Sequence, residues 1–302
     1  MGGRSAEREV SLVTGRQVVA ALSERGYRVV ALDTREDFIR SLRKDPPDVA
    51  FIALHGRLGE DGTMQGLLEI LQIPYTGSGV LASAMAMDKV ISKSIFVQAG
   101  IPTPPFVVVD STDALDEDVT LISLGLPVVV KPACEGSAIG VSIVREKGEL
   151  LEAITGALKH GGRVLLEQYV RGVEVTVGVI EDDELRPLPT LEIVPANEMY
   201  DYEAKYTPGM SEHIIPARIC EGDRRACEHL AIRAHRALCC FGFSRTDLIV
   251  TEEGPSVLEV NTIPGMTGTS LFPEAAKAVG IEFGDLVERL VMQPLTVRKT
   301  AS

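Results

Sequence analysis

The sequence predicts an α/β protein with more than one domain, and three observations lead to this fold class. Helix-like and strand-like segments alternate from the N-terminus to about residue 83. Val49–Leu54 is almost wholly apolar, as is typical of a parallel strand that is covered on both faces. Near the C-terminus, turn-forming residues separate the strand-like segments Ser244–Val250 and Val257–Asn261, which indicates a hairpin. A chain of 302 residues is long enough for two or three domains.

Composition excludes several classes of partner. The net charge is −13 and the isoelectric point is near 4.9, which argues against nucleic acid, because that partner must be met with positive charge. No apolar run approaches the roughly 20 residues of a membrane span, so we expect no membrane association. The five cysteines have no framework spacing, which is typical of reduced thiols in a cytoplasmic protein.

The alternation of helix-like and strand-like segments in the first 83 residues predicts a parallel sheet, with strands at Tyr27–Leu32 and Val49–Leu54. The second strand is followed by the loop His55–Gly62, at the sheet edge where α/β proteins place ligands. His55 is therefore either a substrate-site residue or a hydrogen-bonding loop residue, and its position alone does not decide. Gly77–Ala82 fits the dinucleotide pattern G-x-G-x-x-A, but the acidic residue expected about 20 positions later is missing. We interpret this segment as a turn into a helix.

In the middle of the chain, the strands Leu126–Pro132 and Val141–Val144 are separated by the glycine-bearing loop Ala133–Gly140. This loop is not a P-loop, because that motif requires Gly-Lys-Ser/Thr before a helix. It is either a flexible turn or a lid whose backbone N–H groups bind phosphates. Lys131 ends an otherwise apolar strand, which favours an anion nearby, since lysines are rarely buried without one.

The C-terminal hairpin carries a candidate metal site. Because side chains alternate along a strand, Glu259 and Asn261 share one face, and so do Arg245 and Asp247. If Asp247 lies opposite Glu259, all four polar groups point the same way. Two carboxylates and an amide oxygen suit Mg²⁺, and an arginine suits an anion whose charge grows during reaction. The alternative is a solvated sheet face, but the Pro-Gly loop that closes the strand favours a site.

The helix predicted over Gly222–Phe241 carries four residues of metal-binding type, Cys227, His229, His235 and Cys239. Cys227 shares its helical face with apolar residues, whereas His229 points nearly opposite. Core packing is therefore the favoured interpretation of Cys227.

The segment Glu259–Thr267, Glu-Val-Asn-Thr-Ile-Pro-Gly-Met-Thr, resembles the metal-binding end of ATP-grasp ligases, and most closely that of D-alanine–D-alanine ligases. The likeness extends through nearly all of the chain. It implies an ATP-grasp architecture with an N-terminal doubly wound parallel-sheet domain (1–83), a central domain with the glycine lid loop (84–172) and a C-terminal domain with the metal and oxyanion site (173–302). It also implies ATP-dependent ligation of two D-alanine molecules through an acyl phosphate, for peptidoglycan precursor synthesis, by a cytoplasmic homodimer.

The resemblance further implies roles for individual residues. Two Mg²⁺ (or Mn²⁺) ions would be held by Asp247, Glu259 and Asn261. ATP would be bound by Lys89, Lys131, Glu135, Glu167, Val170, Glu174 and Lys205. The incoming amine would be oriented by Glu7, Ser137 and Tyr206, and the oxyanion hole would be formed by Arg245 and the N–H of Gly265. D-Alanine would also be contacted by His55, Ser270 and Leu271.

Two features depart from the family pattern. The lid loop has Cys134 and Ala138 where the family usually carries Arg and a second Ser, so we expect one hydroxyl donor to the γ-phosphate to be absent. Met1 directly precedes Gly2-Gly3, whereas family members have an apolar strand before Gly-Gly. We therefore expect the natural polypeptide to start upstream, with Met1 inside that central strand, because its loss leaves buried backbone groups unpaired at about 1–3 kcal/mol each.

Three alternative functions agree less well with these residues. A different ATP-grasp ligase would not account for Glu7, Tyr206 and Ser270 together. A nucleotide-binding module without catalysis would not need the acidic set around the metals. A dehydrogenase based on Gly77–Ala82 would lack its ribose-binding acid.

Overall fold

Two antiparallel sheets organise the chain after residue 105. The computed structural model describes residues 1–112, 117–195, 210–268 and 270–301. The helices in these ranges are α1 (Arg8–Glu24), α2 (Phe38–Lys44), α3 (Thr63–Ile70), α4 (Val80–Met87), α5 (Lys89–Gln98), α6 (Glu117–Leu124), α7 (Leu150–Leu158), α8 (Glu221–Ala237), α9 (Leu271–Ala278) and α10 (Phe283–Ala301). The strands are β1 (Phe106–Val109), β2 (Val128–Pro132), β3 (Ser142–Val144), β4 (Val164–Gln168), β5 (Val173–Glu181), β6 (Leu185–Pro187), β7 (Leu191–Pro195), β8 (Ser211–Ile214), β9 (Phe243–Thr251) and β10 (Gly254–Asn261). Among the described residues, no helix is both long and apolar enough to cross a bilayer.

The smaller sheet has the strand order β1-β4-β2-β3 and carries the glycine loop. β2 and β3 pair antiparallel, with Val128 opposite Val144, so the predicted succession of strand, glycine loop and strand is confirmed. α7 packs on this sheet through Leu150 and Ile154, which are fully buried. This packing fixes the end of β2, where the loop begins.

The larger sheet has the order β10-β9-β5-β7-β8, with β6 paired to β5. α8 packs against it through Cys227, Leu230 and Ala234, and a second apolar cluster joins the sheet to α1, α9 and α10. Cys227 is fully buried, which confirms the prediction of core packing. Within the described residues, no group of three or more His, Cys, Asp or Glu side chains is placed to hold a metal ion.

The Gly77–Ala82 segment is a turn into a helix, as predicted. α4 begins at Val80 with Gly79 as its N-cap. Gly77 has φ of +80°, and a Cβ at this position would lie 3.1 Å from Cε1 of Phe243. A side chain would be strained by its backbone conformation and by this contact. Gly77 therefore allows the turn before α4 to lie close to Phe243 of β9.

The first 83 residues differ from the prediction. Neither Tyr27–Leu32 nor Val49–Leu54 forms a regular strand, so that part of the prediction is wrong. Among the described residues of this region, one isolated bridge joins Ala50 to Tyr75, and it is parallel.

Side-chain hydroxyls take the place of ladder partners in this region. The Ser11 hydroxyl donates to the Ala53 carbonyl. The Ile52 N–H donates to Thr76 Oγ1 at 3.2 Å. These two backbone groups therefore have side-chain partners instead of the ladder that an apolar strand pattern predicts.

Candidate active site

The β9–β10 hairpin brings the predicted metal-binding residues together. Glu259 pairs with Asp247 and Asn261 pairs with Arg245, so the condition under which all four polar groups share one face is met. The register shifts between Val257 and Glu259, so β10 contains one extra residue there. Such a bulge bends a strand and re-aims the side chains beyond it, which is common beside active sites.

Two neighbours hold the Asp247 carboxylate. Arg245 Nε and Nη2 donate to its two oxygens at 2.9 and 2.7 Å. Thr176 lies directly opposite on β5, and its hydroxyl donates to Asp247 Oδ1 at 2.6 Å. A bidentate guanidinium and a fixed hydroxyl together orient this carboxylate.

Lys89 connects the hairpin to the lid loop. Its ammonium lies 3.2 Å from Glu259 Oε2 and donates to the backbone oxygen of Glu135 at 2.8 Å. Burial opposes the charge, but Glu259 outweighs burial and raises the pKa of Lys89 above its usual value. Lys89 is therefore a cation at neutral pH and neutralises Glu259.

The oxygen donors of the hairpin fit a hard divalent cation. Asp247 and Glu259 are directly opposite each other, and Asn261 follows on the same strand as Glu259. Directly opposed side chains have Cβ atoms about 4.5–5.5 Å apart. Asn261 Oδ1 accepts the Ile263 N–H at 2.8 Å and keeps a second lone pair. Mg²⁺ takes such ligands and leaves positions for phosphate oxygens and water.

The glycine loop between β2 and β3 reaches the N-terminal part of the chain. Ser137 donates to Glu7 Oε1 across 130 residues of sequence. A Cβ on Gly136 would lie 3.3 Å from Glu7 Oε2. Ser137 and Ala138 have φ of +50° and +57°, a left-handed conformation that side chains rarely adopt and that is enriched at functional sites. Two of the three residues predicted to orient the amine are therefore in contact.

The loop after β10 places Gly265 against Ser270. Ser270 is the N-cap residue of α9, and its hydroxyl accepts the Thr267 N–H at 2.9 Å. A Cβ on Gly265 would lie 2.8 Å from Ser270 Oγ, so a side chain at this position would force a shift. Ser270 and Leu271 stand at the start of a helix, where backbone N–H groups and the helix dipole favour a carboxylate.

His55 is buried at the edge of the same site. Its Nδ1 lies 3.7 Å from Glu60 Oε1, and its Nε2 lies 3.5 Å from Thr14 Oγ1. The other Glu60 oxygen accepts the Gly56 N–H at 2.7 Å. His55 therefore has partners within its own region and also faces the cavity described below.

Behind the lid loop lies a buried group of charges around Glu167. Lys131 is 2.5 Å from Glu167 Oε2, and Lys93 forms an ion pair with Oε1. Burial opposes ionisation, but the two ammonium groups outweigh it and lower the pKa of Glu167. The anion expected beside Lys131 is therefore Glu167 in this structure. Val170 follows β4, and Glu174 lies half-buried in β5.

One cavity collects most of the predicted site. Its lining comes from the N-terminal region, α5, the lid loop, the hairpin and the start of α9, and it includes Glu7, His55, Glu60, Lys89, Glu135, Gly136, Ser137, Arg245, Glu259, Asn261, Gly265, Ser270 and Leu271. The predicted residues that do not line it are Lys131, Glu167, Val170, Glu174 and Asp247. Lys205 and Tyr206 lie outside the described residues.

Comparison with known proteins decides the family. Residues 95–292 match the model described as D-ala D-ala ligase C-terminus, and residues 36–78 match the model described as D-ala D-ala ligase N-terminus. The chain belongs to the D-alanine–D-alanine ligase family. It is 54% identical over 292 residues to the D-alanine–D-alanine ligase of Desulforudis audaxviator, which covers 96% of this chain and 95% of the relative. It is 52% identical over 298 residues to that of Pelotomaculum thermopropionicum, which covers 96% of this chain and 94% of the relative.

A solved structure shows the same likeness in three dimensions. The D-alanine–D-alanine ligase from Bacillus anthracis complexed with ATP matches with a TM-score of 0.87 at 35% identity, over 100% of this chain and 98% of that chain. The predicted α/β ATP-grasp fold class is therefore confirmed.

Sequence reasoning missed three residues that support the site of this D-alanine–D-alanine ligase family member. They are Thr176, Glu60 and Lys93. Lys93 carries a detectable signal, because it falls three residues after Val90 and three before Phe96, on the apolar face of α5. Thr176 has none, since a threonine inside an apolar strand is ordinary.

Proposed function

We propose that this protein joins two D-alanine molecules into D-alanyl-D-alanine while ATP is converted to ADP and phosphate, as a step of peptidoglycan precursor synthesis. The contact between Ser137 and Glu7 carries the proposal, because it joins the lid loop to the N-terminal region at the cavity that Glu259 and Asn261 also line. That cavity offers an acid for an ammonium group, oxygen ligands for Mg²⁺ and cations for phosphate. The reaction requires all three, since it brings like-charged reactants together and creates charge in each transition state.

In the first step, the carboxylate of one D-alanine attacks the γ-phosphorus of ATP, and ADP leaves. Both reactants are anions, so positive charge is needed where they meet. Lys89 and Lys131, together with Lys205, bind the phosphates, and Glu7 holds the ammonium of the amino acid. The oxygens of Asp247, Glu259 and Asn261 would hold two Mg²⁺ ions, which would neutralise phosphate charge when bound.

In the second step, the amine of the other D-alanine attacks the acyl carbonyl, the bond to phosphate breaks and the amine loses a proton. The carbonyl oxygen becomes negative during this attack. Arg245 and the Gly265 N–H stabilise that charge, and the start of α9 at Ser270 and Leu271 holds the second carboxylate. The amine is oriented by the hydrogen-bonded group of Glu7, Ser137 and Tyr206, and His55 completes the first substrate's surroundings.

The remaining predicted residues contact the nucleotide. The segment from Glu167 to Val170 binds adenine, Glu174 binds the ribose, and Glu135 lies with the lid loop over the phosphates. The family resemblance also supports a cytoplasmic homodimer. Analytical ultracentrifugation of the purified protein tests the dimer directly.

Incubation with ATP, Mg²⁺ and D-alanine tests the function, with phosphate and dipeptide both assayed. We expect equal amounts of the two products. If phosphate is released only when a different amino acid is supplied, the protein is another ATP-grasp ligase. ATP binding without phosphate release would indicate a module without catalysis.

Substitution of Glu259 tests the metal site. We expect Glu259→Gln to lower phosphate release at least about 100-fold, because a neutral amide does not replace a charge between two metal ions. Glu253→Gln, in the exposed turn of the same hairpin, is the matched control and should keep activity. Near-normal turnover of Glu259→Gln with unchanged Mg²⁺ dependence would refute the metal assignment.

A further inference from the structure

Lys93 is a fully buried lysine that the proposed mechanism does not use. It lies in α5, and its relative exposure is 0%. Its ammonium contacts Glu167 Oε1 and Thr103 Oγ1, and it lies 5.4 Å from the ring centroid of Phe106. Lysine is almost never fully buried unless it is paired, because its charge must be taken out of water. A buried lysine so close to the nucleotide side of the site needs an explanation.

The geometry around Glu167 distinguishes the two lysines that contact it, Lys93 and Lys131. One carboxylate oxygen faces Lys93 and the other faces Lys131, at 2.5 Å. Lys131 is 8% exposed, whereas Lys93 is 0% exposed. Lys131 therefore keeps a small contact with solvent, but Lys93 has none. The group of two ammonium ions and one carboxylate carries a net charge of +1, which favours a polyphosphate beside it.

We propose that Lys93 is a positioning residue of the nucleotide site, which keeps Glu167 ionised and oriented when Lys131 turns to a phosphate of ATP. This proposal rests on the proposed function, in which Lys131 binds phosphate and Glu167 accepts a hydrogen bond from the adenine amino group. Without Lys93, the Glu167 carboxylate would hold Lys131 as its one strong cation partner among the described residues. Lys131 would then either stay with Glu167 or leave a buried carboxylate uncompensated.

A hydrogen-bond chain extends the influence of Lys93 to the hairpin. Thr103, which contacts the Lys93 ammonium, donates from Oγ1 to the Val257 carbonyl at 2.7 Å. The Val257 N–H in turn donates to the Pro102 carbonyl at 2.8 Å. Lys93 thus lies between the strand that carries Glu167 and the strand that carries Glu259.

The test is ATP binding by Lys93→Met, measured by calorimetry with ATP and Mg²⁺ and without D-alanine. We expect the dissociation constant for ATP to rise at least tenfold and the preference for ATP over GTP to fall. The Michaelis constants for D-alanine should stay within twofold of wild type. Lys147→Met is the matched control, because Lys147 is an exposed lysine in an ion pair with Asp118, and we expect unchanged ATP binding. This binding measurement is independent of ligase turnover, so a failure of the proposed function is seen separately in the dipeptide assay.

A double variant distinguishes positioning from stability alone. Lys93→Met retains the pair of Glu167 with Lys131, so the variant should fold. If it does not fold, Lys93→Met/Glu167→Gln is compared with Glu167→Gln, since neither leaves a buried carboxylate. Equal ATP affinity of these two proteins supports action through Glu167, and a further loss in the double variant overturns it. A lower melting temperature of Lys93→Met with unchanged ATP affinity and unchanged ATP preference would also overturn the proposal.

Discussion

Acidification should destabilise this protein through one buried histidine. His235 lies on the sheet side of α8, is 2% exposed, and its Nδ1 is 2.8 Å from Ser244 Oγ. Burial lowers the pKa of His235 from 6.5 to about 4. The unfolded chain binds a proton at this imidazole near pH 6.5, whereas the folded protein binds it only near pH 4. Between these values the unfolded state carries more protons, so stability falls as the pH falls.

The size of the effect follows from the pKa difference. One pKa unit corresponds to about 1.4 kcal/mol, and pH 5 lies about 1.5 units below the ordinary pKa of histidine. His235 should therefore lower the free energy of unfolding by about 2 kcal/mol at pH 5 relative to pH 7.5 or above. A typical domain has only about 5–15 kcal/mol of stability, so this loss is measurable. The contribution of neutral His235 to stability is fully present well above pH 6.5 and is lost progressively as the pH falls toward 4.

Urea unfolding, followed by circular dichroism at pH 7.5 and pH 5.0, measures this difference. Other groups also titrate in this range, and comparison with His235→Gln removes their common contribution. We expect the free energy of unfolding of His235→Gln to fall by about 2 kcal/mol less than that of wild type between pH 7.5 and pH 5.0. His229→Gln is the matched control, because His229 is exposed on the same helix, and it should behave as wild type. An equal loss in wild type and His235→Gln would refute the reasoning.

Three substitutions test the surroundings of the site. Thr176→Val removes the hydroxyl that donates to Asp247, so we expect the Mg²⁺ concentration for half-maximal activity to rise about tenfold, as is typical when a partner of a metal ligand is lost. Ala138→Gly relieves a left-handed conformation that costs a non-glycine residue about 1–2 kcal/mol, so the Michaelis constant for D-alanine should stay equal or fall. Glu274→Gln weakens the 2.6 Å contact with His213 that joins β8 to the start of α9, so the Michaelis constant for the second D-alanine should rise several-fold while that for ATP does not change.

Matched controls separate these effects from general destabilisation. Thr190→Val alters another buried threonine, whose hydroxyl has no hydrogen-bond partner among the described residues, and should leave the Mg²⁺ requirement unchanged. Ala138→Val places a branched side chain in the left-handed conformation and should raise the Michaelis constant for D-alanine. Glu282→Gln changes an exposed acid shortly after α9 and should have no effect. An unaltered Mg²⁺ requirement in Thr176→Val, weaker D-alanine binding by Ala138→Gly, or equal behaviour of Glu274→Gln and Glu282→Gln would each contradict the corresponding expectation.

The C-terminal hairpin, and the side chains that share a face on each of its strands, follow from the sequence alone. Alternation along each strand puts Asp247 and Arg245 on one face of β9, and Glu259 and Asn261 on one face of β10. Pairing counted from the turn would put Leu258 opposite Asp247, and the bulge between Val257 and Glu259 brings Glu259 there instead. The same local physics predicted the strands that flank the lid loop and the core position of Cys227. These features depend on neighbours in the chain, which a linear pattern contains.

Tertiary structure decided which groups meet across distant segments. Ser137 reaches Glu7 over 130 residues, and the partner of Lys131 is an acid 36 residues away on β4. The N-terminal region shows the same limit, since an apolar run there predicted a regular strand that the fold does not form. Periodicity states which side chains share a face, but it does not state what that face packs against. Periodicity puts Lys93 on the apolar face of α5, but its acid partner Glu167 comes from β4 and is brought to it only by packing.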